Sequence, residues 1–268
     1  MNRLRRAAAL LLMTAPWAFA WVAITPETRK AFDRYAALTE ARMSQETGPG
    51  QFLWMDGRPE ERKKAREGRI VIAPRKTLDN GREIDPPNGD IQHWLGAAFF
   101  PQATMARVRA VMQDYENYKI AYRPDVIESK LLNHRGDDFD IFLRLYKRQF
   151  LIVVLNSEYH VHYSSPDPRR MSVVSHSTRI AEVKDAKRSV DDEEPVGNDN
   201  GYLWALNSYW RFEEKEGGVY AECEAISLSR DTPFGLGFLV KAFLEKFPKE
   251  SMRNTMEATA KAVGARLR

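Results

Sequence analysis

Apolar and polar residues alternate with a period of two through most of residues 126–231, and helical periods flank that region on both sides. Alternation of this kind sends every second side chain to one face of a strand. It predicts strands over residues 126–134, 139–149, 150–164, 171–183, 202–214 and 219–231, punctuated by turns at Gly136-Asp137-Asp138, Ser165-Pro166-Asp167-Pro168 and Glu216-Gly217-Gly218. Residues 185–200 are polar and read as a loop. An earlier strand covers residues 91–100 and is closed by Pro101; Thr104 then caps a helix with Val108, Val111, Met112 and Tyr115 on one face. After residue 235 the pattern is helical again, over residues 236–246 and 248–265. The first piece carries Phe238, Leu239, Phe243 and Phe247, and the second lines Met252, Met256, Ala260, Val263 and Leu267 along one face. A helix so lined needs a large apolar partner, and the inner face of the sheet is the surface of that size.

The first ninety residues read differently. Thr25-Pro26-Glu27 opens a helix with Thr as cap and Pro at its first position, and Phe32, Tyr35, Ala36 and Leu38 continue it. Gly48-Pro49-Gly50 ends it, and a short helical piece follows over residues 59–67. Residues 69–73 and 82–84 flank Asn80-Gly81 and predict a hairpin, and Pro86-Pro87-Asn88-Gly89 forms a boundary. The division is therefore residues 1–20, a helical extension over 21–68, a hairpin and linker over 69–90, and a main domain over 91–268. Because the apolar strands and the final helix lie outside residues 21–68, that extension is expected to be removable without loss of the fold.

Residues 1–20 have the form of an export signal. Arg3, Arg5 and Arg6 precede an apolar run, and Ala18-Phe19-Ala20 suits cleavage after Ala20, which implies a periplasmic or secreted protein. Their removal takes away three arginines and no acid, so 41 basic against 37 acidic residues becomes 38 against 37. The basic balance thus belongs to the signal and is no nucleic-acid footprint. No later stretch has the length of a membrane span, although transient contact with a membrane surface is compatible with the extension. Cys223 is the sole cysteine, so the fold rests on its core and not on internal disulfides. With 43% hydrophobic residues, such a core is available.

Strand parity nominates a cavity wall. Trp204, Leu206, Ser208, Trp210 and Phe212 share one face of their strand; Leu151, Val153, Leu155, Tyr159 and Val161 share one face of a central strand; and Cys223 lies among small residues on the last strand. With Phe238, Met252 and Met256 from the covering helix they form the candidate ligand-binding set, a mixture of aromatic, small and adaptable side chains suited to an apolar site. His160 and His162 fall on the opposite, outward face, without the further ligands that a zinc site needs. Glu222 and Glu224 also point outward, where ion pairs with Arg144 or Arg211 across the sheet are expected. No phosphate loop, nucleophile elbow or HExxH motif is present, and no metal, cofactor or catalytic residue is assigned.

The order of strand, helix, six further strands and a long C-terminal helix resembles the START-like (SRPBCC) superfamily, which includes polyketide cyclases, Bet v 1-like and lipid-transfer members. Local echoes are Phe99-Phe100-Pro101 with Thr104, Asp114-Tyr115, and Ser229-Arg230-Asp231-Thr232-Pro233 running into the last helix. The resemblance implies an α+β helix-grip fold, in which a curved antiparallel sheet of about seven strands wraps around the C-terminal helix. It also implies a cavity that binds or carries a hydrophobic or amphipathic small molecule such as a lipid, sterol, quinone or polyketide. A cyclase or aromatase using the same cavity, and a protein- or membrane-interaction module built on the extension, are the alternatives.

Overall fold

A computed structural model describes residues 22–46, 51–148, 152–231 and 237–267, with side chains throughout except at 22 and 237–247. The export segment, Leu151 and the Phe238 side chain lie outside that description. The chain begins with β1 (Val22–Ala23), α1 (Pro26–Gln45), a 3-10 turn (Trp54–Gly57), α2 (Pro59–Arg66), β2 (Val71–Pro74), β3 (Leu78–Asp79) and β4 (Arg82–Glu83). The main body follows as β5 (Gly89–Pro101), α3 (Met105–Met112), α4 (Tyr118–Ala121), β6 (Val126–Arg135), β7 (Asp138–Arg148), β8 (Ile152–Asp167) and β9 (Arg170–Asp185). It ends with β10 (Ser189–Glu193), β11 (Asn198–Asp199), β12 (Ala205–Lys215), β13 (Gly218–Arg230) and α5 (Gly237–Ala262).

Among the described residues one nine-stranded antiparallel sheet dominates, in the order β2-β5-β13-β12-β9-β8-β7-β6, with β10 added to β9. The two strands beyond the expected seven have local causes. Val71–Pro74 does not pair with residues 82–84; it joins the main sheet against Trp94–Ala97 of β5. The hairpin at Asn80-Gly81 is correspondingly short, Leu78–Asp79 against Arg82–Glu83, and both turn residues take the positive φ that such a turn demands. The polar 185–200 segment is not all loop, since it carries β10 and β11. The last helix runs unbroken through Pro248 instead of forming two pieces.

The inward positions of the strands, with α3 and α5, form the largest core cluster, which includes Phe100, Val108, Phe139, Val173, Phe212 and Met256. Helix α5 reaches the sheet at Gly96 of β5. A Cβ there would stand 2.7 Å from Met252 Sδ and 3.0 Å from Met256 Cγ, so with glycine at this position the two methionines pack directly on the strand, and a larger residue would displace them.

The other face of the sheet is covered as well. Phe32 and Tyr35 of α1 pack with Tyr209, Ile226 and Leu228, while Phe52, Leu53, Trp54, Met55 and Ala65 pack with Leu95, Ala97, Phe99 and Tyr220. The extension therefore packs as a layer on the convex face. It also supplies the partners of the outward acids. Glu222 accepts from the backbone N–H groups of Trp54 (2.7 Å) and Met55 (2.8 Å), and Glu224 binds Arg42 (2.5 Å) and His93 Nε2 (2.9 Å). Arg211 sits across from Glu222 but donates to Phe52 O (2.9 Å), and Arg144 is engaged elsewhere, with Glu128 and Asp191. The expected cross-sheet acid pairs are thus replaced by contacts to the extension and, for Glu224, to His93 of β5.

Thr77 N–H donates to Tyr35 Oη (2.8 Å), so the Tyr35 hydroxyl donates to His93 Nδ1 (3.1 Å) and His93 presents Nε2–H to Glu224. Burial keeps the His93 pKa below its ordinary value, in keeping with a neutral ring. Burial opposes ionisation of Glu224 too, but the bond from His93 and the charge of Arg42 overcome it and hold the carboxyl at about 2. His160 and His162 lie on the same outward side, exposed and bonded to Asp140 (2.8 Å) and Asp138 (2.7 Å).

Candidate ligand-binding cavity

The curvature of the sheet leaves its concave face only partly filled by α5, and a cavity of about 840 Å³ remains between them. Its floor is made by alternate residues of the central strands: Ile141 and Leu143 of β7, Val153, Leu155 and Tyr159 of β8, Leu206, Ser208 and Trp210 of β12, and Cys223 and Ala225 of β13. The segment through α4 adds Tyr115, Tyr118 and Tyr122, and α5 contributes Met252 and Thr255.

Of the residues nominated by parity, Leu206, Ser208, Trp210, Val153, Leu155, Tyr159, Cys223 and Met252 border this space. Phe212 and Met256 do not. Both are fully buried in the core beside it, Phe212 stacked on Trp210 with centroids 5.3 Å apart and Met256 against Gly96. Trp204 lies on the opposite side of the sheet with Phe32 and Tyr35, and its Nε1 donates to Asp199 (2.9 Å). Parity misplaces it because β12 begins only at Ala205, so residue 204 is not bound by the strand's alternation.

The tyrosines at 115, 118 and 122 were not nominated, although their spacing of three and four is a legible signal of one helical face. Their hydroxyls are tied into the protein. Tyr163 and Tyr118 both donate to Met112 O (2.6 Å each), Tyr115 lies 2.6 Å from Tyr163, and Tyr122 meets Thr259 Oγ1 (3.1 Å). Burial pushes Tyr122 and Tyr159 up to about 12 and holds Tyr115, Tyr118 and Tyr163 above the ordinary tyrosine value, so these are neutral phenols. Burial raises the Cys223 thiol as well, which makes it a wall residue and not a thiolate nucleophile. At one end Lys147 is paired with Asp125, which also accepts from Asn254 (3.2 Å). Burial lowers the Lys147 pKa, and the bond to Asp125 opposes that shift.

Chemically, this is a mainly apolar chamber with neutral hydroxyl groups set into its walls and the charged residues Arg123, Asp125, Lys147, Glu257 and Lys261 also on its border. The main body runs from β5 through α3 and six further long strands to α5, which lies over the concave face with the chamber beneath it. This is the helix-grip arrangement that the order of elements predicts, a curved antiparallel sheet about a C-terminal helix.

No protein-family model and no curated protein sequence matches the chain. Among solved structures, it is similar to a STAR-related lipid transfer protein fragment from Xanthomonas axonopodis, at 16% identity over 72% of this chain and 98% of that one, with a TM-score of 0.46. It is similar to the Zhui aromatase/cyclase of a Streptomyces species, at 12% identity over 65% and 94% of the two chains, TM-score 0.46. A START superfamily protein from Mycobacterium smegmatis gives 11% identity over 66% and 95%, TM-score 0.39. Identities this low say nothing of what this chain binds. Among the described residues no helix is long and apolar enough to cross a membrane, and no group of three or more His, Cys, Asp or Glu could hold a metal ion.

Proposed function

We propose that this chain binds a hydrophobic or amphipathic small molecule non-covalently between the concave sheet face and α5, and holds or carries it. The observation that carries this reading is the chamber of about 840 Å³, walled mainly by Val, Leu, Ile, Trp and Tyr side chains. The export segment read at residues 1–20 puts this activity outside the cytoplasm. Exported protein beginning at Trp21 supports that part, and protein beginning at Met1 refutes it.

Ala225 faces the chamber between Ser208 and Trp94 on the neighbouring strands, so a larger side chain there fills the space from its floor. Ala225→Phe is expected to weaken binding of the apolar fluorophore N-phenylnaphthylamine at least about tenfold while the protein still unfolds cooperatively. A folded variant that binds as well as the parent, or a parent that takes up no fluorophore, would refute the reading. Native mass spectrometry of protein from its own host then identifies the occupant. Release of a chemically converted occupant would favour the cyclase or aromatase alternative.

A further inference from the structure

The hydroxyls of Tyr115, Tyr118, Tyr122 and Tyr163 find partners within the protein, but that of Tyr159 does not. Tyr159 borders the cavity from the middle of β8 and is only 5% exposed, yet its hydroxyl makes no hydrogen bond. Ser157, two residues earlier on the strand, stands close enough to act on the Tyr159 phenol but out of hydrogen-bonding geometry with it, and donates its own hydroxyl to Leu143 O (2.7 Å). A buried hydroxyl left without a partner costs about 1 to 3 kcal/mol, so its presence in an otherwise well-bonded wall calls for a partner from outside the chain. Ser251 Oγ, on the part of α5 that borders the same cavity, is likewise buried and unbonded. The strand register adds to this. Val161, two residues beyond Tyr159, faces Ser175, and Ser175 faces Ser208; both serines border the cavity, so hydroxyl groups cluster on this part of the floor.

We propose that the cavity takes a neutral, largely apolar molecule bearing a carbonyl or hydroxyl oxygen within its buried body, and that Tyr159 donates a hydrogen bond to that oxygen. The proposal rests on the cavity reading above and narrows it from any apolar ligand to an oxygenated one. A carboxylate does not suit this position. The side chains beside Tyr159 on adjacent strands are Ile141 and Ser177; of the cations that border the chamber, Lys147 is already paired with Asp125, and Arg123 and Lys261 belong to the segment before β6 and to α5, not to the strands beside Tyr159. An anion beside Tyr159 would lose its water without gaining a counter-charge.

The test compares a steroid ketone, androstanone, with its parent hydrocarbon androstane, each displacing N-phenylnaphthylamine from the full mature chain and from Tyr159→Phe. The parent is expected to bind the ketone about tenfold more tightly than the hydrocarbon, equivalent to about 1.4 kcal/mol. Tyr159→Phe should abolish that preference, read as the ratio of ketone to hydrocarbon affinity, whatever the change does to apolar binding itself. The ligand-free variant should melt no lower than the parent, because the deleted hydroxyl had no protein partner. Three results overturn the inference alone: fluorophore binding by a parent that does not favour the ketone, a ketone preference that survives in Tyr159→Phe, or a ligand-free variant that melts well below the parent. If neither steroid nor fluorophore binds the parent, the cavity reading falls and this inference falls with it.

Discussion

On the concave side of the sheet, Val153, Leu155 and Trp210 border an open chamber; on the convex side, Leu95, Ala97, Phe99 and Tyr220 are sealed beneath Phe52 to Met55 and α2. The polar groups on the two sides differ in kind. The floor of the chamber carries hydroxyls, with the Lys147–Asp125 pair at its border, whereas the convex face buries Glu222, Glu224, His93 and Arg211. A charge set in the apolar floor of the chamber would have no partner there, but a charge facing an added layer of chain can meet backbone N–H groups and side chains brought by that layer. Charged residues at outward strand positions therefore need not mark a solvated surface. Here they mark the seam to which the N-terminal segment is fastened.

The largest expected effect comes from removing that layer. A chain beginning at residue 69 would expose Leu95, Tyr220, Ile226 and Leu228 and strip Glu222 and Glu224 of their partners from the extension. These losses are set against the roughly 5 to 15 kcal/mol by which a domain is normally stable. The truncated chain should show no cooperative thermal transition and should bind dyes specific for exposed apolar surface. A sharp transition near that of the parent would make the convex layer an accessory and collapse the contrast between the faces.

Single substitutions sharpen the contrast. Glu224→Ala on the convex side leaves His93 Nε2–H without its acceptor and Arg42 with only Glu46, and should cost about 3 kcal/mol in denaturant unfolding. Ser208→Ala, one strand away on the chamber side, should change stability by less than about 0.5 kcal/mol. Comparable losses at the two positions would mean that the chamber wall is as tightly bonded as the seam.

The contrast can also be sharpened by a pH slope. Burial pushes Glu222 up to about 7 from an ordinary 4.5, against the pull of the Met55 and Trp54 N–H groups and Arg211 and with some reinforcement from Asp56. The folded state then holds this proton where the unfolded chain has lost it, so Glu222 makes stability fall as pH rises from 4.5 to 7, with no further change above. Glu224, held at about 2, acts oppositely: its contribution is complete above 4.5 and is lost as pH falls toward 2. Glu222→Gln does not titrate, and the lowered His93 and raised Glu182 are present in both proteins. Subtracting the variant's unfolding free energy from the parent's at each pH should therefore isolate a decline between pH 4.5 and 7. A flat difference across that window would place the Glu222 pKa at its ordinary value.

The spacing of residues in the chain determined the strands, their inward faces and the final apolar helix, because alternation and helical periodicity are local properties that survive any later packing. Leu206, Ser208, Trp210, Val153, Leu155 and Tyr159 stand on the chamber side for that reason. What covers each face was decided only in three dimensions. Nothing local to Glu222 or Glu224 announces Trp54, Met55 or Arg42, which lie 168, 167 and 182 positions away along the chain. The pairing of Val71–Pro74 with β5 and the displacement of Trp204 to the convex side are likewise set by where strands begin and which edge is free. The chamber itself belongs to this second class. Its empty volume depends on how far α5 stands from a curved sheet, and at Gly96 a missing Cβ sets the point of contact, a distance between layers that no periodicity along one strand encodes.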